Sequence, residues 1–64
     1  MKGTVKRWLD GRGYGFIQPE NSESDVFVHH SGLSSAYELI TGQEVEFEME
    51  DTPRGPRAKD VKIL

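Results

Sequence analysis

The sequence predicts a small all-β domain whose five short strands close into a barrel. Three observations carry that prediction. The chain has 64 residues, the length of one domain spanning residues 1–64. Apolar and polar residues alternate along several segments, the period of a half-buried strand rather than of a helix. Turn signals interrupt these segments at short intervals. With no principal helix to cover a sheet, closure is the device that removes exposed edges.

The elements follow in order. "KGTVKRWL" (residues 2–9) supplies a first strand, and Asp10-Gly11 a turn. "YGFIQ" (14–18) and "DVFVH" (25–29) alternate with apolar residues on both faces, joined by the loop "PENSES" (19–24). The stretch 31–42 is the longest connection, and its "SSAYELI" suits a short helical turn starting near Ser34 or Ser35. "EVEFEME" (44–50) alternates most cleanly, with Val45, Phe47 and Met49 on one face and four glutamates on the other. "TPRGP" (52–56) turns the chain into a last strand, "RAKDVKIL" (57–64). One inward face per strand makes Val5, Ile17, Val26, Val28, Val45, Phe47, Met49, Val61 and Ile63 the expected core. Burial of each large side chain contributes roughly 1.5–3 kcal/mol.

That core leaves Tyr14 and Phe16 on the opposite face of the second strand, and Asp25, Phe27 and His29 on that of the third. A hairpin brings these faces together, with opposed side chains about 4.5–5.5 Å apart. Four rings then lie side by side outside the barrel. Such a patch marks a binding surface, although cross-strand ring packing alone would also use it. Gly15 fits this parity, because a glycine suits a crowded interior.

Net charge is −3, but its distribution matters more than its sum. Lys2, Lys6, Arg7 and Arg12 outnumber Asp10 at one end, and Arg54, Arg57, Lys59 and Lys62 outnumber Asp60 at the other. Between them residues 19–51 hold nine acids and no base. An acidic protein can therefore own a basic patch if its ends meet. Rings interleaved with Lys and Arg match the physics of single-stranded nucleic acid. Stacking on a base contributes about 1–3 kcal/mol and tolerates any sequence, while cations follow the phosphates.

"RGYGFI" (12–17) and "VFVHH" (26–30) resemble the two ribonucleoprotein motifs of cold-shock proteins. The resemblance covers the whole chain: "GTVKRW", "HSGL", "LITGQEVEFE" and "RGPRAKDV" are similar to the family's remaining segments. It implies a five-stranded antiparallel Greek-key barrel, the oligonucleotide-binding (OB) fold. It also implies binding of single-stranded RNA and DNA and action as an RNA chaperone, with roles in transcription antitermination or translation under cold stress. Tyr14, Phe16, Phe27 and His29 fall on the family's stacking positions, and Lys6 and Arg12 on its basic ones. Arg7 is also expected near phosphates, and Arg54 and Lys59 with less weight.

Three departures from the family are specific to this chain. The opening strand reads Val5-Lys6-Arg7-Trp8, with the indole one place later than usual. Strict alternation from an inward Val5 would bury Arg7, which unpaired is costly. Arg7 is therefore expected to be exposed, with Trp8 at the edge of the aromatic face. His30 replaces an aromatic residue; imidazole can stack, but unlike phenyl it ionises at mildly acidic pH. The connection between Leu33 and Gly42 is about two residues shorter than usual, and Tyr37 is the nearest counterpart of a base-contacting Phe found there.

Other function classes fit less well. His29 and His30 are the only histidines, and neighbours on a strand point to opposite faces. No phosphate loop, cysteine nucleophile or metal-ligand spacing is present. No catalytic residue, metal, cofactor or small-molecule substrate is expected. A small-barrel module binding peptides is the alternative, but it would not need cations at both chain ends. With no cysteine there is no disulfide. No apolar run approaches the about 20 residues of a membrane span, and "MKGTVKRWLD" lacks a signal peptide's apolar stretch. The expectation is a cytoplasmic monomer with no membrane partner.

Overall fold

The computed structural model describes residues 1–34 and 38–64. Its strands are β1 (Lys2–Leu9), β2 (Tyr14–Pro19), β3 (Val26–His29), β4 (Glu44–Thr52) and β5 (Gly55–Ile63), and a 3-10 turn at His30–Gly32 follows β3. They close in the order β1-β2-β3-β5-β4. Four seams are antiparallel, and β3–β5 is parallel. Strand direction cannot alternate all the way round a closed ring of five, so one parallel seam is a geometric necessity. Of the helical turn expected within residues 34–40, residues 35–37 lie outside the described residues, and 38–40 form no helix.

The inward face holds Val5, Ile17, Val26, Val28, Val45, Phe47 and Val61, as alternation predicts. Trp8, Leu39 and Ala58 join them. Met49 and Ile63, expected in the core, are 40% and 39% exposed. Both keep the inward parity, opposite buried Ala58 and buried Val45 respectively, but are incompletely covered there. The β4–β5 pairing slips between Glu46 and Glu48, and on β5 the non-glycine Asp60 takes φ 51°. Ala58 and Val61 are therefore both buried although three residues apart. A bulge of this kind bends and twists its strand. Met49 lies beyond it, and Ile63 ends β5 at the rim.

A second bulge decides the position of the site. Val5 pairs with Ile17 and Arg7 with Phe16, leaving Lys6 as the extra residue of β1. Lys6 and Arg7 are consequently both exposed, and Trp8 turns inward at 7% exposure. Trp8 stands opposite Gly15. A β-carbon on Gly15 would overlap the Arg7 carbonyl oxygen and lie 2.8 Å from Trp8 Cε3. Because one of these obstacles is backbone, Gly15→Ala should destabilise the domain by about 1–3 kcal/mol. A lower urea midpoint with an unchanged slope is the expected measurement, and an unchanged midpoint would refute the close approach.

Candidate nucleic-acid interface

The hairpin β2–β3 sets Tyr14 opposite His29 and Phe16 opposite Phe27. Gly15, Ile17, Val26 and Val28 are buried while Tyr14, Phe16, Phe27 and His29 are half-buried on the outer face. The rings cover one another. Tyr14 and Phe27 have centroids 5.6 Å apart at 34°, Phe16 and Phe27 6.1 Å apart at 72°, and Tyr14 and Phe16 6.5 Å apart at 87°. Edge-to-face and tilted pairs of this kind are the favoured aromatic geometries. They still leave ring surface facing outward.

His29 and His30 were expected on opposite faces, but their ring centroids are 4.3 Å apart. The strand ends at His29, and the 3-10 turn that begins at His30 breaks the alternation. The backbone N–H of Ser31 donates to His29 Nδ1 at 3.2 Å, and Ser31 Oγ lies 2.9 Å from the same nitrogen. Nδ1 thus accepts from the Ser31 backbone N–H, which fixes the ring orientation. His30 is exposed; its backbone N–H donates to the Gly13 carbonyl at 2.8 Å. Gly13 has φ 76°, and a β-carbon there would meet His30 Cδ2 at 2.7 Å. His30 shares a shallow depression of about 470 Å³ with Arg12 and Glu38.

The two cationic ends do not meet. β1 and β5 are separated by β4 on one side and by the β2–β3 hairpin on the other. They flank the rings instead. Arg7, Phe16, Phe27, Arg57 and Glu50 are successive cross-strand partners around the barrel. Arg54, exposed at the β4–β5 turn, lines a groove of about 680 Å³ with Phe27 and His29. Thr52 Oγ1 shapes that turn, donating to the Gly55 carbonyl at 2.6 Å and accepting from Arg54 N at 3.2 Å. Lys59 is half-buried and pairs across the sheet with Glu48. Glu44, Glu46 and Glu48 are exposed on β4, away from the rings.

Among the candidates, Arg7, Arg12, Tyr14, Phe16, Phe27, His29, His30 and Arg54 border one continuous face, and Lys6 is exposed at the bulge next to Arg7. Trp8 does not: the bulge at Lys6 carries its ring into the core, correcting the expectation that it edges the aromatic face. The contact expected of Tyr37 lies outside the described residues. Arg57 was missed. Its parity with Lys59 was a signal that it points outward, but its neighbours Phe27 and Glu50 are brought to it by non-local pairing.

A closed five-stranded barrel with rings on its β2–β3 face and cations around them defines a small barrel of the nucleic-acid-binding class. Within that class the chain belongs to the cold-shock domain family: the model of the "'Cold-shock' DNA-binding domain" matches residues 1–64. A cold shock-like protein of Aquifex aeolicus is 43% identical over 66 positions, covering all of this chain and 94% of the relative. The cold shock-like protein CspE of Escherichia coli K12 is 43% identical, over all of this chain and 96% of the relative. A probable cold shock protein A of Mycolicibacterium smegmatis is 42% identical, over 98% of this chain and 97% of the relative. Nucleic-acid binding is the activity of this family. Among the described residues no helix is long and apolar enough to cross a membrane.

Proposed function

We propose that the protein binds single-stranded RNA and DNA by stacking successive bases on Tyr14, Phe16, Phe27 and His29, with His30 at one end. The observation that carries this reading is the outward row in which Arg7 and Arg57 bracket Phe16 and Phe27. Rings supply the base contacts, and Lys6, Arg7, Arg12 and Arg54 lie where a backbone would run. In this reading Lys59 is a peripheral phosphate contact, since Glu48 opposes it. The acids of β4 repel the strand from the rest of the barrel.

The mechanism is passive. By binding the unpaired strand better than the duplex, the domain melts weak hairpins by mass action. That is an RNA chaperone without catalysis, ATP or a metal, acting as a cytoplasmic monomer. Its roles in antitermination or translation follow from keeping transcripts unpaired.

Titration of a labelled oligouridine, oligothymidine and duplex tests the reading. Both single strands should bind more tightly than the duplex. Three or four phosphate contacts predict a log–log salt slope of roughly −2 to −3. A salt-insensitive equilibrium, or equal affinity for duplex, would refute it; the first result is what a peptide-binding groove would give.

A further inference from the structure

Arg57 ends the outer row in a geometry different from that of the other cations. It is the cross-strand partner of Phe27 on β3 and of Glu50 on β4. Its Nε and Nη2 donate to Glu50 Oε1 at 2.9 and 2.6 Å. The two side chains are 42% and 31% exposed, so the pair adds little to stability. Its consequence is orientation. One side of the guanidinium fork is occupied, and the plane is held. Nη1 and the remaining Nη2 hydrogen form a free end, without a partner among the described residues. Beside it lies the groove lined by Phe27, His29, Pro53, Arg54 and Pro56.

The pairing argues against a phosphate contact. A carboxylate 2.6 Å from Nη2 offsets the guanidinium charge, and a phosphate approaching Arg57 would also meet Glu50. A neutral acceptor edge meets no such repulsion. We propose that this groove is a base-reading subsite selective for guanine, in which a base beside Phe27 turns two adjacent acceptors toward the free end of Arg57. Guanine offers O6 and N7 at the spacing of two parallel guanidinium donors. Adenine sets an amino group beside its N7, and in uracil an N–H separates the two carbonyls. Each would face a donor with a donor. Cytosine has adjacent acceptors but a smaller ring face to lay on Phe27.

The inference deepens the single-strand reading and rests on it. The test is a seven-nucleotide oligouridine and copies carrying one G, A or C at each position in turn. In the wild-type protein, G at one position should tighten binding on the order of tenfold relative to U. Arg57→Lys keeps the charge but loses the fork. Its G-to-U ratio should fall toward one, with the salt slope unchanged. Glu50→Gln should lower the same ratio while steepening the slope by about 0.7, because the freed guanidinium becomes available to a phosphate. The subsite is overturned if no position prefers G, or if C matches G. It is equally overturned if the charge-removing variant Arg57→Gln weakens all strands alike with a slope shallower by about 0.7. Wild-type binding of oligouridine without any G preference refutes the subsite alone; no binding of oligouridine refutes the single-strand reading and the subsite together.

Discussion

Trp8→Ala is expected to unfold most of the protein at room temperature and not merely to weaken its grip on nucleic acid. The indole is 7% exposed and belongs to the core cluster with Val5, Ile17 and Phe47. Truncating a buried Trp costs about 3–5 kcal/mol. At about 0.05–0.15 kcal/mol per residue, that loss is comparable with the whole stability of so short a chain. The check is thermal melting followed by far-UV circular dichroism. A cooperative transition near that of the wild type, with affinity alone reduced, would return Trp8 to the surface. Trp8→Phe should be milder. Trp8 Nε1 is buried without a partner among the described residues, and an unsatisfied buried donor costs about 1–3 kcal/mol. Phenylalanine keeps a ring in the core and removes that donor.

Trp8 also shows where the sequence stops being readable. Period-two alternation located all five strands and assigned Val5, Ile17, Val26, Val28, Val45, Phe47 and Val61 inward. It separated Tyr14, Phe16, Phe27 and His29 from them because β2 and β3 pair without interruption. Parity fails wherever one residue is inserted. The extra residue at Lys6 reversed Trp8, and the irregularity around Asp60 brought Ala58 inward together with Val61, three residues on. The sequence did signal the first of these, since a buried unpaired Arg7 was untenable; a bulge resolves it by exposing Arg7 and burying its neighbour. Leu39 and Ala58 were not legible, because no alternation marks a connection and a small residue gives a weak hydrophobic signal. Nor was the Phe27–Arg57–Glu50 row. It joins β3, β5 and β4, which are brought together by closure alone.

Removing both central rings, Phe16→Ala with Phe27→Ala, should cost more affinity than any other pair of substitutions on this face. Each ring is expected to contribute about 1–3 kcal/mol of base stacking, or roughly 5- to 150-fold in Kd. The two sit 6.1 Å apart at 72°, close enough to couple. Residues in contact show interaction energies of about 0.5–3 kcal/mol. If one base bridges both rings, the double variant loses less than the sum of the singles. If each ring holds its own base, the losses add. The same substitutions also remove cross-strand ring pairs, which contribute about 0.5–1.5 kcal/mol each beyond the area they bury. Because both rings are only half-buried and Ile17, Val26 and Val28 remain beneath them, the barrel should still melt cooperatively at a lower temperature. Measuring melting and affinity on the same samples separates the two effects. A folded double variant that binds oligouridine as the wild type does would show that these rings pack the sheet and nothing else. An unfolded one would place them in the core, against the alternation that turns them outward.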